Sequence, residues 1–440
     1  MIYLVSRNKS LFGSIKYKYV DFEVAMKVLI PLHYVQFDTE TEGLDAHTKK
    51  LLTVQLGNKE NQVVFDWQTL TADEKRQLKE YFESDRVFIG WNLMFDLCFM
   101  YVQDIWVKHI LDGMVIEKLL WLGYDHTERE MSLKAAAMHY LGIDIDKTVR
   151  GKIINVGLTE EVVVYAAGDV TYLEDIVEKQ QIEVDKQNLK LAVELECEFI
   201  KGLAYFKHCG VHLDIDKWRQ KMKKDQDNLD KAIQELNEWV VNWYEQSHVD
   251  SGEDWDIQYP EMNLTNRLEI EEATKALLKA KYIRSPKDDL DTPYGKISAF
   301  KKKIISNFVK VDTQGDLFSG FDTRPKCTIN WSSSQQVIPL FEKLGIDVIT
   351  FDKKTKKKKK SVNAKLLKPQ AHNFPILPIF LKYQEAAKVV TTYGDNWIKA
   401  INPTTGRIHV EFHSLGTDTA RVSSGGGVYK LNLQFGGTIV

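Results

Sequence analysis

Apolar and polar residues alternate between Tyr34 and Asp66, a stretch rich in β-branched and aromatic side chains. This period of two predicts the first strands of a β-sheet, and a further strand is predicted at 87–89. Apolar residues recur at helical spacing in five segments, namely 72–84, 95–103, 112–121, 131–141 and 160–180. Strands that precede and then alternate with helices predict an α/β or α+β domain in residues 1–185.

The rest of the chain is predicted to be mostly helical over residues 186–400. The periodicity breaks between about 247 and 330 at Gly, Pro and Asp residues, so we expect an irregular insertion there. A lysine-rich segment at 353–360 predicts a solvated loop. Helical spacing runs through 191–246, 331–346 and 375–400. Residues 401–440 form a final, separate segment.

Composition narrows the class of protein. A length of 440 residues suits two or three domains, and 44% apolar with 28% charged residues is typical of a folded chain. No uncharged apolar stretch reaches the roughly 18 residues of a membrane helix, so we expect a cytoplasmic protein without a membrane partner. The net charge of −3 does not indicate nucleic-acid binding, but residues 343–368 are strongly basic. Four widely spaced cysteines without a CxxC pair argue against a zinc knuckle or a disulfide framework.

Two carboxylates stand at the end of the first strongly apolar strand. Asp38 and Glu40 flank Thr39, and because side chains alternate along a strand, both carboxylates project from one face. Two such groups on one face can bind one metal ion. Taken alone, the pair also fits a solvent-exposed strand end in any charged protein.

Two further motifs carry carboxylates on predicted helices. Asn92 follows the strand at 87–89 and is expected to cap a helix that places Asp96 in its first turns. Tyr165 and Asp169 are four residues apart, so the hydroxyl and the carboxylate share one side of a helix. Each motif alone is also what a surface charge on a helix would show.

The four carboxylates together match the needs of phosphodiester hydrolysis. Two divalent ions roughly 3.5–4 Å apart activate water and stabilise the attacking and leaving oxygens, and Mg²⁺ or Mn²⁺ prefers oxygen ligands. We expect Asp38 to bridge the two ions, Glu40 and Asp169 to complete one site, and Asp96 to bind or order the second. Tyr165 is expected to orient the attacking water.

The ordered motifs DTETEGL, NLMFD and YAAGDV are similar to the DEDDy branch of the DnaQ-like 3′→5′ exonucleases, over about residues 30–180. This resemblance implies an RNase H-like fold, two catalytic metals and a pocket for the last nucleotides of a single-stranded 3′ end. Leu44, Phe95 and Phe99 are candidates to wedge or stack on those bases, with core packing as the alternative. Asn92 is a candidate DNA contact.

The second half resembles family A DNA polymerases. The segment from Glu196 to Asp214 and the pattern from Asn330 to Ile346 are similar to the thumb of that family, which would span 186–400. GRIH at 406–409, TDTARVSS at 417–424 and NLQ at 432–434 resemble the entrance to its palm, which would begin near 401. Ala420 stands where the family usually has glycine, and the thumb carries about 70 extra residues.

This second resemblance implies contacts with primer–template DNA. The residues it places near the duplex are Lys356, Lys357, Lys358, Lys359, Lys360, Lys388, Arg421, Asn432 and Gln434. Lysine contacts to phosphates would be independent of base sequence and sensitive to salt. A lysine run that only solubilises the protein is the alternative for 353–360.

The later palm and finger motifs of the family do not follow Gln434 in this sequence. We therefore expect polymerisation to need a second polypeptide carrying the remaining palm and fingers, or the sequence to be part of a longer one; both readings stay open. The leading hypothesis is the proofreading exonuclease part of a replicative, phage-like family A polymerase. The alternatives are a stand-alone RNase D-like exonuclease and a non-catalytic DNA-binding clamp subunit.

Overall fold

The computed structural model describes residues 1–124, 130–145, 158–251, 326–352, 357–417, 419–425 and 431, and short strands between 291 and 310. The chain divides into two compact units. The first combines Met1–Ile215 with Asp395–Val440, and the second is Asp216–Gly394. The first unit is therefore discontinuous in sequence.

The first unit contains a seven-stranded mixed sheet in the order β2-β1-β5-β4-β3-β6-β7. Strands β3, β4 and β5 are successively antiparallel, whereas β6 and β7 continue parallel to β3. This central order is that of an RNase H-like fold, as the sequence predicted. The strands are β1 (Ile2–Val5), β2 (Lys18–Tyr19), β3 (Tyr34–Thr41), β4 (Leu51–Gly57), β5 (Gln62–Asp66), β6 (Val87–Gly90) and β7 (His109–Asp112).

Helices cover the sheet, and the core between them is aromatic and aliphatic. Phe37 of β3 lies edge-on to Phe82, with ring centroids 5.1 Å apart, and both side chains are fully buried. The helices are α1 (Phe22–Leu29), α2 (Ala72–Phe82), α3 (Leu93–Val102), α4 (Gly113–Leu120), α5 (Leu133–Leu141), α6 (Glu160–Thr171), α7 (Leu173–Lys186) and α8 (Lys190–Cys209). The five predicted helical segments in this part are confirmed in position.

The segment predicted to be helical over 160–180 is helical apart from a break at Tyr172, which separates α6 from α7. The side chain of Gln36 on β3 supplies the reason: its Oε1 accepts hydrogen bonds from the backbone N–H of Leu173 at 3.1 Å and of Glu174 at 3.3 Å. These amides would otherwise continue the preceding helix. A strand side chain thus caps the first turn of α7.

The carboxy-terminal segment of the first unit packs on α8. Lys207, buried in α8, forms an ion pair of 2.7 Å with Glu411, and Ser414 Oγ donates a 2.6 Å hydrogen bond to Glu196. The backbones of Val211 and Ile408 pair as an antiparallel bridge. The polymerase-like end of the chain and the exonuclease-like beginning are therefore parts of one folded unit.

Three imidazoles meet at this junction. His47 lies in the β3–β4 loop, with its ring centroid 4.0 Å from that of His409 and 5.2 Å from that of His208 at the end of α8. His47 Nε2 donates to the His208 carbonyl at 3.0 Å. Burial and the neighbouring imidazoles lower the pKa of His47 and of His208 below the ordinary value. The packing thus favours the neutral forms of His47 and His208.

The second unit is helical, with a core formed where α9 (Ile215–Ser251) meets the later helices. Leu236 and Val240 of α9 pack in one cluster with Trp331, Phe341 and Phe380. The later helices of this unit are α10 (Ser334–Lys343), α11 (Ala364–Leu367) and α12 (Ile376–Thr392). The next helix, α13 (Asp395–Lys399), belongs to the first unit. Of the expected insertion at 247–330, the described residues are 247–251 at the end of α9, residues 328–330, and two strand pairs: Asp291–Thr292 with Gly295–Lys296, and Val309–Lys310 with Lys326–Cys327.

The prediction of a loop for the whole lysine-rich segment is wrong at its end. Lys358–Lys360 is a strand, paired antiparallel with Ile349–Phe351. Lys359 pairs with Asp352 at 3.1 Å and Lys360 contacts Glu342 at 2.5 Å, so local ion pairs offset the repulsion within the run. These lysines are nevertheless exposed, as expected. Residues 353–356, with Lys356, lie outside the described residues.

Ala420 adopts a positive φ of 59°, in the left-handed region that favours glycine. The glycine typical of the resembling family would adopt this conformation without strain from a Cβ atom. The turn is kept by hydrogen bonds from Ala420 N–H to the Thr417 carbonyl at 3.0 Å and from Arg421 N–H to Thr417 Oγ1 at 3.0 Å. Local hydrogen bonds of the turn therefore hold an alanine in a strained position.

A substitution of Ala420 tests this strain. We expect Ala420→Gly to raise the free energy of unfolding of the first unit by about 1 kcal/mol, because glycine removes the left-handed penalty. Ala420→Val should lower it, since a β-branched residue fits this φ less well. Urea unfolding of both variants measures the effect, and a less stable glycine variant would contradict the assignment.

The histidine cluster predicts a pH dependence of stability. A lowered folded-state pKa means that the cluster stabilises the fold fully above the unfolded value of about 6.5, and less as pH falls through the folded value. Unfolding free energy should therefore fall between pH 7.5 and 5.5, and His47→Gln should flatten the slope. The exposed His33 serves as the control in His33→Gln; equal slopes in all three proteins would reject the role of the cluster.

Candidate metal centre

Three carboxylates converge at the centre of the sheet. Asp38 and Glu40 on β3 and Asp169 on α6 offer ligand atoms that all lie within 4.8 Å of one another. Within the described part of the chain, this is the group of at least three metal-ligating side chains that the structure brings together. The convergence predicted from three separate motifs is thus present for three of the four carboxylates.

Local sequence explains the positions on β3. Strand alternation places Asp38 and Glu40 on one face and the intervening Thr39 on the other, where it is buried. The ladder to β4 shifts register between Glu40 and Thr41, so regular pairing ends immediately after the second carboxylate. The strand thus presents two acidic side chains at its last regular positions.

The third carboxylate is delivered by α6, which packs across β3, β4 and β5. Thr159 begins the helix by accepting a hydrogen bond from Val162 N–H at 3.4 Å. Val163 and Ala167 on the same helix are fully buried against the sheet, which fixes its rotation about its axis. Asp169, largely buried, is therefore aimed at Asp38 and Glu40 rather than at solvent.

Tyr165 lies one turn before Asp169 on the same side of α6. Its ring is buried and packs with Val162, with Leu52 and Leu158 alongside. The ring is therefore anchored by apolar contacts. The hydroxyl is therefore the polar end of a fixed side chain on the same helix face as the Asp169 carboxylate.

The electrostatics of the group favour a cation. Two unit charges separated by about 5 Å repel by roughly 3 kcal/mol at the effective dielectric of a protein surface, and three carboxylates form three such pairs. Hard divalent ions with oxygen ligands relieve this repulsion, and no sulfur or imidazole ligand belongs to the group. The donor set fits Mg²⁺ or Mn²⁺.

Asp96 occupies a different environment from the other three carboxylates. It is 3% exposed on α3 and accepts a 2.6 Å hydrogen bond from Thr39 Oγ1, on the residue between Asp38 and Glu40. Burial, partly opposed by this hydrogen bond, raises the pKa of Asp96 to about 7. Asp96 is thus adjacent to the three-carboxylate group through Thr39 without belonging to it, and its role as a ligand stays a prediction.

The expectation that the Asn92 side chain caps α3 is wrong. Asn92 occupies the N-cap position with φ at 65° and makes no side-chain cap. The buried Asp112, at the end of β7, instead accepts hydrogen bonds from Asn92 N–H at 3.1 Å and Leu93 N–H at 2.7 Å. Asp112 also accepts from Met114 N–H at 2.8 Å, so it caps the starts of α3 and α4 together.

Sequence reasoning missed Asp112. Its signal is an acid directly after the apolar pair Ile110-Leu111 and before a helix, which is the pattern of an N-cap. What the pattern could not show is that the same carboxylate caps a helix 20 positions earlier in the chain. Burial raises the pKa of Asp112, while the amide hydrogen bonds lower it.

The candidate base contacts separate into two kinds. Phe99 is buried, and Phe95 is half-buried with its ring 5.2 Å from that of Phe99, so both pack in the core. Leu44, in the loop after β3, is 74% exposed. Leu44 therefore remains the free apolar side chain close in sequence to the carboxylates of β3.

The candidate duplex contacts are exposed where they are described. Lys357, Lys358, Lys359, Lys360 and Lys388 are exposed in the second unit, and Arg421 is exposed in the first. Asn432 and Gln434 lie outside the described residues. No described helix is both long and apolar enough to cross a membrane.

Comparison with known proteins assigns both parts of the chain. Residues 16–185 match the 3′–5′ exonuclease family, and residues 321–434 match DNA polymerase family A. DNA polymerase I of Caldicellulosiruptor bescii is 35% identical over 130 residues, which are 28% of this chain and 14% of the relative. DNA polymerase I of Aquifex aeolicus is 26% identical over 232 residues, or 48% of this chain and 38% of the relative. The matched part is thus less than half of either relative.

A solved structure extends the likeness in fold. The POL domain of Pol1 from M. smegmatis, in complex with a DNA primer-template and dNTP, superposes with a TM-score of 0.54 at 14% sequence identity. The match covers 89% of this chain and 50% of that one. Residues 16–185 are therefore similar to a 3′–5′ exonuclease domain and residues 321–434 to a segment of family A DNA polymerases, and the solved structure extends that likeness in fold alone.

Proposed function

We propose that the chain is a divalent-metal-dependent 3′→5′ exonuclease that removes nucleotides from single-stranded DNA ends and proofreads for a family A DNA polymerase. The observation that carries this proposal is the approach of Asp38, Glu40 and Asp169 to within 4.8 Å of one another. The match of residues 16–185 to the 3′–5′ exonuclease family supports the direction of hydrolysis.

The four carboxylates would together bind two divalent ions. Asp38, Glu40 and Asp169 would hold the first ion, and Asp38 with Asp96 a second. Two divalent ions bound here would supply an activated water and charge stabilisation for both oxygens of the displaced phosphodiester. Thr39 holds the Asp96 carboxylate by a 2.6 Å hydrogen bond, so the position of Asp96 is set before substrate binds.

Tyr165 completes the proposed machinery. Its ring is fixed by Val162 and neighbouring leucines, so the hydroxyl is held in one place on the helix face of Asp169. A hydroxyl in that place can accept or donate a hydrogen bond to a water and orient it toward phosphorus. Leu44 is exposed and close in sequence to Asp38 and Glu40, and it would separate the terminal bases of the DNA strand.

The second unit would hold duplex DNA. Its exposed lysines at 357–360 and Lys388 suit phosphate contacts, which carry no sequence preference. Arg421, Asn432 and Gln434 would contact the primer–template at the start of the palm. The same proposal assigns DNA polymerisation to the complete family A polymerase for which this chain would proofread.

Removal of one metal-binding charge should abolish hydrolysis and leave the fold intact. We expect Asp38→Asn and Asp169→Asn to lower Mg²⁺-dependent degradation of a single-stranded DNA oligonucleotide by about a thousandfold or more, because charge stabilisation by metal is worth several kcal/mol. In EDTA both variants should melt at a higher temperature than wild type, since one repulsive charge is gone, and their rise in Tm on adding Mg²⁺ should shrink.

The exposed surface acid Asp73 gives the matched control, in which Asp73→Asn should keep full activity and the wild-type response to Mg²⁺. Unchanged hydrolysis in both cluster variants would reject the metal centre. An RNA oligonucleotide of the same sequence tests the substrate: faster degradation of RNA than of DNA would favour an RNA-processing enzyme.

Loss of the Tyr165 hydroxyl should separate water positioning from metal binding. We expect Tyr165→Phe to lower the rate of hydrolysis by about 10- to 100-fold, less than loss of a ligand, with the Mg²⁺-dependent rise in Tm preserved. Single-turnover kinetics with excess enzyme measure the rate. A loss of metal response in Tyr165→Phe would show that the hydroxyl acts on the metal site rather than on water.

A further inference from the structure

A cavity opens in the exonuclease domain at the carboxyl ends of α4, α5 and α7. Its volume is about 610 Å³, within the range of small-ligand sites. None of Asp38, Glu40 and Asp169 lines it. The eight residues of α4 separate it by about 12 Å from Asp112, which caps α3 near Asp96, so it is distinct from the metal centre.

Aromatic rings dominate one wall of the cavity. Trp121 and Tyr124 lie with ring centroids 5.7 Å apart at 62°, and His139 and Tyr140 at 4.7 Å and 83°. In each pair, the edge of one ring contacts its partner, so the faces of that ring are not covered by the partner. Tyr124 is 65% exposed, so an apolar face stands open to solvent at the cavity. Open ring faces are what stacks on a nucleobase in single-stranded recognition.

The charged side chains that line the cavity favour the binding of an anion on one side of it. Lys179 of α7 is exposed and forms no ion pair among the described residues, whereas Lys186 is paired with Glu183 at 2.7 Å. Helix carboxyl ends carry partial negative charge, so a phosphate fits best away from them. Lys179 lies about two turns before the end of α7 and supplies the unpaired cation there.

A buried network fixes the ring of Tyr140 beneath the cavity. Tyr140 Oη donates to Glu117 Oε2 at 2.9 Å, and Gln180 Nε2 donates to the same oxygen at 2.8 Å and to the Gly113 carbonyl at 2.9 Å. Glu117 and Gln180 are 1% and 0% exposed. Polar groups buried with these partners are costly to move, so the wall of the cavity is rigid before any ligand binds.

We propose that this cavity is a second nucleotide-binding site, which stacks a nucleobase on Tyr124 and Trp121 and holds the attached phosphate on Lys179. Stacking tolerates any base, which suits an enzyme that must handle every sequence. The bound nucleotide comes either from a released mononucleotide or from a single strand. The site does not require the metal centre.

Binding in EDTA isolates this cavity from the metal-dependent site. Titrations with dTMP, by calorimetry, and with fluorescein-labelled (dT)8, by anisotropy, should both show binding to the full chain. Tyr124→Ala and Lys179→Gln should each weaken Kd by about tenfold, the scale of one stacked base. Tyr124→Phe keeps the ring and should bind as wild type does. Lys108→Gln, which removes a surface lysine paired with Asp85 in the same domain, should also leave Kd unchanged.

The two ligands distinguish the source of the nucleotide. Tighter binding of (dT)8 than of dTMP, with both weakened in Tyr124→Ala, indicates a single strand; equal binding indicates a free mononucleotide. Asp38→Asn should leave both titrations unchanged while it abolishes hydrolysis, so this site and the proposed function fail separately. Wild-type Kd values in Tyr124→Ala and Lys179→Gln, or absence of binding to both ligands, would overturn the proposal.

Discussion

The repulsion among three carboxylates is the interaction on which the rest of the exonuclease domain depends. Asp38, Glu40 and Asp169 would separate if their backbones were free to move, since each pair repels by a few kcal/mol at this range. The mixed sheet and the packing of α6 across it oppose that separation. The fold thus holds three carboxylates within 4.8 Å of one another against their mutual repulsion.

Polar side chains reaching between elements maintain this arrangement. Gln36 of β3 caps α7, Thr39 of β3 holds Asp96 of α3, and Asp112 of β7 caps both α3 and α4. The bonds from Gln36, Thr39 and Asp112 to α7 and α3 join a strand to a helix that is distant from it or not consecutive with it in sequence, whereas the bond from Asp112 to α4 is local. The site is thus positioned by side-chain hydrogen bonds of the scaffold as well as by apolar packing.

Features set by local pattern could be predicted from the sequence, and features set by distant contacts could not. Alternation revealed β3 and the shared face of Asp38 and Glu40, and i,i+4 spacing revealed the pairing of Tyr165 with Asp169. The strand Ile2–Val5 was not predicted from the sequence, because its partner β5 lies 60 positions away. The strand at 358–360 escaped for a related reason: lysine has low β propensity, and only the pairing with 349–351 imposes that conformation.

The discontinuity of the first unit has a consequence for how the protein folds as it is made. Lys207 and Glu411 are 204 positions apart, so their pairing closes a long loop, at an entropic cost of roughly 5 kcal/mol for an unstructured chain. The residues between them form a unit with its own core, and once that unit has folded, the loop is effectively far shorter. On the ribosome, the exonuclease sheet can therefore form early, but the seam along α8 must stay open until the inserted unit has been synthesised. During that interval, the apolar and ionic groups that later receive residues 401–417 are exposed to solvent, which favours aggregation at this seam.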